Sequence, residues 1–350
     1  MEQTGKPSFA GSAETIQRLQ AIVPAAFAML AGMQLELFTE LADGPRAAAD
    51  LAAALGVAAE PLSRLLYALI VCGLLERREG GFANSSEAAT FLVKGLPDYV
   101  GGTHELLDQL WRADLETARS LRSGRPAALH DFAHASDEQM AAMLRGMHPS
   151  AIATGRELLQ RFDFSRLRSV VDVGGGSGGL AATLCHGHPG LEGILFDLPH
   201  TAALAAPILR DTPGGEFVSI EAGDILAAPP SGTHDAVVLR ALVQVLAPDD
   251  AARAIANAAA ALRPGGAIYI AGGGILDDDR MGPRAAVFLN LTFLNLYPAG
   301  ASYTSAEHTA WLEAAGCGDV RRITLPSGSG IIQATKLGRR SSREGFGALR

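Results

Sequence analysis

One stretch limits the folds open to this chain more than any other: Val170-Val171-Asp172-Val173-Gly174-Gly175-Gly176-Ser177-Gly178-Gly179. It reads as a buried strand that ends in a glycine loop, and the loop opens a helix beginning near Leu180. Glycines let the backbone turn sharply and approach a bound molecule closely, and the start of a helix offers free N–H groups. From Phe164 onward, short apolar runs (169–173, 193–196, 217–221, 235–239, 267–271 and 330–335) alternate with Ala-rich helical patterns. Continuous apolar strands separated by helices predict a parallel sheet with both faces covered, an α/β fold. The closing order is a helix near 306–315, a strand near 320–324 and a strand over 330–335, which suits a sheet finished by an antiparallel edge pair.

Before Phe164 the pattern is different. Helical periodicity runs from about Ser12 to Ser150, through Leu35, Leu37, Phe38 and Leu41, past the Gly44-Pro45 turn and on to Leu62, Leu65, Leu66 and Leu69. A short strand at Leu74-Leu75-Glu76-Arg77, the Gly80-Gly81 turn and Phe82-Ala83 read as a β-hairpin. Helices followed by a hairpin predict a winged helix over about 33–95, and two amphipathic helices follow, around 100–123 and 137–159. A winged helix invites a DNA-binding reading, but residues 31–95 carry five basic side chains (Arg46, Arg64, Arg77, Arg78, Lys94) against eight acidic ones. Such a surface repels phosphates, which excludes nucleic acid as a partner. The apolar N-terminal helices, 21–30 above all, are expected to intertwine with a second copy of the chain as a homodimer.

At 350 residues the chain exceeds one ordinary domain of ~100–200 residues. The expected division is a tail over 1–11, an all-helical region with the winged helix over 12–150, an α/β domain over 151–337 and a tail over 338–350. A hydrophobic fraction of 48% with 19% charged residues excludes wholesale disorder. No stretch approaches the ~18–20 uninterrupted apolar residues of a membrane helix; the nearest, 21–33, contains Pro24 and Gly32. The N-terminus lacks the charged-then-apolar pattern of a signal peptide. Cys72, Cys185 and Cys317 are too widely spaced for a CxxC metal site, and their odd number argues against a disulfide framework. A soluble, cytoplasmic protein without membrane contact is therefore expected.

The glycine loop alone is ambiguous, because Gly174, Gly176 and Gly179 also satisfy the G-x-G-x-x-G dinucleotide fingerprint. Later features separate the two readings. Asp197 closes the next strand in Ile194-Leu195-Phe196-Asp197-Leu198-Pro199, where a carboxylate accepts both hydroxyls of a ribose in either case. Gly223-Asp224-Ile225 then sets a carboxylate and an apolar side chain beside an adenine, and Leu262-Arg263-Pro264-Gly265-Gly266 turns into a further strand. This ordered set resembles the class I S-adenosylmethionine-dependent methyltransferases, with a Rossmann-like domain, and a nicotinamide enzyme has no reason to show all of it. Beyond its tails the chain resembles the small-molecule O-methyltransferases of plants and bacteria, on Leu35–Phe38 by position with Gly73-Leu74-Leu75, then Asp172 to Gly178, Phe196-Asp197-Leu198-Pro199, Gly223-Asp224 and Ala236-Val237-Val238-Leu239-Arg240. The resemblance implies S-adenosylmethionine as cofactor and S-adenosylhomocysteine as product; the sequence has no adjacent carboxylate cluster suited to Mg²⁺ and no paired His/Cys ligands, so no metal is expected. The resemblance implies further that Asp172, Gly174 and Gly176 hold the methionine end, that Asp197 with Leu198 binds the ribose, that Asp224 and Ile225 flank the adenine, and that Arg240 stands near the cofactor. It also implies a small-molecule acceptor beside Met147.

One departure bears on mechanism. The family continues its fourth strand into a Leu-His-Asp-Trp stretch whose His removes the acceptor's proton, whereas counting from Arg240 puts Gln244 at that position. A glutamine amide is not a titratable base near pH 7. The acidic residue of the family's Gly-Gly-Lys-Glu-Arg-Thr loop is also missing from Gly300-Ala301-Ser302-Tyr303-Thr304. Three readings remain open: loss of catalysis with retained cofactor binding; O-methylation with a substitute base, for which His148, Tyr297 and Tyr303 are candidates; or an acceptor that needs no deprotonation because its nucleophile is a neutral sulfur, as in a thioether, or an already acidic carbon. The third is favoured, and the chain resembles the methylthiohydroxybutyrate S-methyltransferases of dimethylsulfoniopropionate synthesis in this respect. A carboxylate on such an acceptor calls for a cation or hydroxyl donors, with Arg145 and His148 on one side and Tyr303 opposite. Asn290, Asn295 and Tyr297, in an apolar helix expected over 287–297, are further candidates to line the acceptor pocket.

Overall fold

A computed structural model describes residues 12–96, 98–130 and 135–338, so the expected tails fall outside the described residues except for Gly338. The chain divides into two compact units, 1–104 and 105–350.

The first unit opens with α1 (Glu14–Gln34), whose Leu30 and Met33 are buried together with Leu37 and Phe38 of α2 (Leu37–Glu40). A Cβ on Gly32 would lie 3.0 Å from the Phe38 ring, so any larger residue would press on that ring. Next come α3 (Ala48–Leu55) and α4 (Ala59–Val71), bent by 111° relative to each other. A hairpin of β1 (Leu75–Arg78) and β2 (Gly81–Asn84) follows, with Arg46 pairing to Phe82 beside it, and α5 (Ser86–Phe91) comes last. Helix, helix and hairpin stand in the order of a winged helix. Helix α1 corrects one expectation: by length and composition its 21 residues are apolar enough to cross a membrane. The uninterrupted-run criterion missed it because Pro24 and Gly32 are accommodated inside the helix. Its apolar residues form a stripe, since Ile16, Leu19, Val23 and Phe27 are all exposed at helical spacing while Gln17, Arg18 and Gln20 occupy other positions.

In the second unit, the helix expected over 100–123 is broken into α6 (His104–Asp114) and α7 (Thr117–Ser123). The Thr117 hydroxyl donates to the Asp114 carbonyl at 2.7 Å, which closes the intervening turn. The boundary expected at 150/151 falls inside α8 (Asp137–Arg161), which starts with a capping box at Ser136 and Gln139. Ala151 and Leu158 of α8 share a core with Val170, Leu180, Leu184 and Val238, so this helix belongs to the α/β unit. Periodicity reports a helix but not the element it packs on.

The α/β order follows: β3 (Ser169–Val173), α9 (Gly179–Gly187), β4 (Glu192–Asp197), α10 (Pro199–Arg210), β5 (Val218–Ala222), β6 (His234–Arg240), α11 (Pro248–Ala260) and β7 (Leu262–Gly272). After a short parallel pair, β8 (Ile275–Leu276) with β9 (Tyr303–Thr304), which flanks α12 (Arg284–Leu296), come α13 (Ser305–Ala314), β10 (Cys317–Thr324) and β11 (Gly330–Lys336). The sheet order is β10-β11-β7-β6-β3-β4-β5, and β11 runs antiparallel to both neighbours. The last strand is thus inserted beside β7, and β10 forms the edge. The expected turn at 262–266 lies within β7, where the register against β6 shifts between His234 and Ala236. Helices α8 and α9 cover one face, while α11 and α13 pack against the other through Ala254, Ile255, Ala258 and Leu312. The carboxyl ends of β3, β4, β5 and β6, four of the sheet's five parallel strands, bring the glycine loop, Asp197, Asp224 and Arg240 to one edge, where ligands of open α/β sheets bind.

Candidate active site

The loop after β3 is a tight cradle. Gly174, Gly176 and Gly178 have φ of +63°, +58° and +74°, a region costly for other residues. Gly174 N–H donates to the Phe196 carbonyl at 2.7 Å, which ties the loop to β4. A Cβ on Gly175 would lie 2.6 Å from the Asp172 carboxyl carbon. Asp172 itself is fully buried and neither carboxylate oxygen has a hydrogen-bond partner. Burial pushes its carboxyl up to about 7, against the pull of the Arg240 charge.

Arg240, at the end of β6, donates from Nη2 to Ser150 Oγ at 2.6 Å and from Nε to Thr154 Oγ1 at 3.1 Å. Arg240, Leu144, Met147 and Ala151 enclose a narrow cavity of about 20 Å³ against Gly174 to Ser177. Asp197 accepts Gly176 N–H and Leu198 N–H, each at 2.8 Å. Burial raises its pKa, and these two bonds with that of Thr201 oppose the rise. Leu198 is exposed at the mouth, Asp224 is exposed and accepts Leu226 N–H at 2.8 Å, and Ile225 is buried. The residues expected at the cofactor therefore line one edge of the sheet. A buried carboxylate within the field of a half-buried guanidinium, with a second carboxylate on the next strand, matches a ligand that has an amino-acid end and a vicinal diol. The residues present fit S-adenosylmethionine on that count. Ser150 and Thr154 went unnoticed in the sequence; their four-residue spacing puts both on one helix face, but nothing in it points to Arg240.

The residues expected at the acceptor scatter. Gln244, in a short 3₁₀ turn, is directed to β7: its Oε1 accepts Gly274 N–H at 3.0 Å. Tyr303 is buried, its hydroxyl donates to the Leu246 carbonyl at 2.5 Å, and burial pushes it up to about 12. Burial likewise pushes Tyr297 up to about 12. Burial thus favours the protonated form of both phenols. His148 contacts the glycine loop, with Nδ1 2.9 Å from Ser177 Oγ, and burial lowers its pKa. Arg145 is exposed, lies 3.8 Å from Glu105, and is not among the residues that line the cavity beside Met147. It lies one turn from His148 in sequence, yet on the outer side of α8. Asn290 Oδ1 accepts Ser302 N–H at 2.8 Å, and Asn295, fully buried, donates to Thr117 Oγ1 at 2.9 Å; both amides hold α12 in place. Sequence reading also missed His308, which is buried on α13, donates from Nδ1 to the Thr304 carbonyl at 2.8 Å, and is depressed to about 4 by burial.

Comparison with known proteins fits this geometry. Residues 117–318 match the O-methyltransferase domain and residues 20–94 the O-methyltransferase dimerisation domain. The 3-hydroxy-5-methyl-1-naphthoate 3-O-methyltransferase of Streptomyces sahachiroi is 32% identical over 88% of this chain and 91% of its own. The N,N-dimethyltransferase OxyT of Streptomyces rimosus is 31% identical over 74% of this chain and 77% of its own. The SAH-bound structure of CalO1, a methyltransferase in calicheamicin biosynthesis, is 25% identical, covers 94% of this chain and 99% of its own, and superposes with a TM-score of 0.75. Glycine cradle, strand-end carboxylates and these matches agree: the chain belongs to the O-methyltransferase family, as an S-adenosylmethionine-dependent methyltransferase.

Proposed function

We propose that this enzyme methylates a small-molecule acceptor whose attacking atom needs no proton removed by the protein. The observation that carries the reading is the state of the candidate bases among the described residues: Gln244 is not titratable and is held by Gly274, Tyr303 donates to a backbone carbonyl, and His148 is engaged by Ser177. When bound, S-adenosylmethionine supplies an electrophilic methyl group on a sulfonium centre. Asp172 and Arg240 would hold its amino-acid end, Asp197 with Leu198 its ribose, Asp224 and Ile225 its adenine, and the backbone of Gly174 and Gly176 would approach it closely. Met147 faces the same cavity and would pack beside the acceptor. The protein's contribution is then alignment and exclusion of water. In-line positioning alone is worth ~7–11 kcal/mol, whereas a general base adds ~10²–10⁴-fold only where a proton must leave.

Two acceptor classes satisfy this. The first is a hydroxyl that ionises on its own, as an acidic phenol does; an O-methyltransferase relative at 32% identity supports it. The second is a neutral nucleophile, a thioether acid such as 4-methylthio-2-hydroxybutyrate or an amine. The outward position of Arg145 weighs against the acid, and the N,N-dimethyltransferase relative favours nitrogen. Incubation with labelled cofactor and a panel of phenol, thioether and amine acceptors tests the reading. Turnover of a weakly acidic alcohol at neutral pH, with a rate that tracks a protein group, would sink it. We infer further that the chain forms a homodimer through α1, on the support of the exposed Ile16, Leu19, Val23 and Phe27 stripe within and beside the matched dimerisation domain.

A further inference from the structure

Gly179 N–H donates to Ser177 Oγ at 3.4 Å, Ser177 Oγ lies 2.9 Å from His148 Nδ1, and His148 Nε2 lies 3.4 Å from Thr212 Oγ1. The Thr212 hydroxyl is already spent on the Ile208 carbonyl at 2.7 Å, so toward His148 its oxygen can only accept. Nε2 therefore carries the imidazole proton, Nδ1 is a bare acceptor, and the Ser177 hydroxyl donates to it. The direction of every bond from the first turn of α9 to the last turn of α10 follows from that single constraint. The ring is close-packed as well: a Cβ on Gly179 would lie 2.8 Å from Nδ1. Burial is the cause of its lowered pKa, which keeps the neutral form the chain of bonds requires.

We propose that His148 is a positioning residue that sets the glycine loop for the cofactor, acting through the hydroxyl of Ser177. The inference rests on the reading of that loop as the cofactor site. Protonation of His148 would make Nδ1 a donor and remove the acceptor that Ser177 uses, so the loop loses one of its anchors as pH falls. Other ionisable groups of the same region are Asp172 beneath the loop, Asp197 on β4, Asp211 next to Thr212 in the chain, and Arg240 across the cavity. Their effect must be subtracted with a variant that lacks only the imidazole.

Calorimetric titration of S-adenosylhomocysteine into the full-length enzyme tests this. Ser177→Ala and His148→Leu should each weaken binding about five- to tenfold, the loss of one neutral hydrogen bond, and the double variant should lose no more than either. His148→Asn, whose amide oxygen can take the Ser177 proton, should bind within about twofold of wild type at pH 7.5. Between pH 7.5 and 5.5 the wild type should lose more affinity than His148→Asn. Additive losses in the double variant, or equal pH slopes for wild type and His148→Asn, would overturn the proposal. Undiminished binding by Asp197→Asn would instead remove the cofactor reading of the loop itself.

Discussion

The amide oxygen of Gln244 accepts the N–H of Gly274 at 3.0 Å, and a Cβ on Gly274 would come within 2.5 Å of it. The Gln244 side chain thus ties the turn after β6 to the turn after β7. Gln244→Ala leaves the buried Gly274 N–H unpaired, at a cost of about 1–3 kcal/mol. A lower urea midpoint with an unchanged shape of the pH–rate profile is expected. A profile that loses its acidic limb would mean that position 244 does take part in proton transfer.

Asp172 should trade stability for binding. Its folded carboxyl stays protonated up to about 7, while the unfolded one ionises from 3.8. Below about pH 4 both states are protonated and there is no penalty; the penalty grows as pH rises to about 7 and is constant above it. Asp172→Asn should therefore stabilise the protein at pH 8, by at most on the order of 4 kcal/mol, and hardly at pH 3.5. The same variant should lose cofactor affinity. Urea melts at the two pH values check the first half and calorimetry the second.

Arg240 has the opposite balance. Arg240→Met removes the charge opposing the burial of Asp172 and the donor to Ser150 and Thr154. A destabilisation of about 3–5 kcal/mol is expected by analogy with broken buried charge pairs, offset where Asp172 simply stays protonated. Comparing melts at pH 5 and pH 8 separates the two, with the larger loss at pH 8.

Tyr303→Phe deletes the donor to the Leu246 carbonyl and keeps the ring against Trp311, 4.9 Å away. A stability loss of about 1 kcal/mol with near-normal turnover is expected. Turnover reduced by orders of magnitude, recovered at high pH, would identify Tyr303 as a base.

The α1 stripe makes a separate prediction. Val23→Asp with Phe27→Asp puts charge on the exposed apolar face, and light scattering should then report monomer where the wild type is dimeric. A wild type that is itself monomeric would end the homodimer reading.

The sequence alone determined the α/β class, the glycine cradle, and the strand-end positions of Asp197, Asp224 and Arg240. These depend on local rules: strand runs, positive-φ glycines and the loops that follow parallel strands. The directions of Gln244, His148, Tyr303 and Arg145 were decided only in the tertiary structure. Each is set by what the neighbouring elements offer: the Gly274 N–H, Ser177, the Leu246 carbonyl and Glu105. The partners of Gln244, His148, Tyr303 and Arg145 lie 29 to 57 residues away in the chain, so spacing along a helix or a motif could not reveal them. A motif fixes where a residue stands on its strand or helix, whereas the hydrogen bond available to a half-buried polar group fixes where its side chain points.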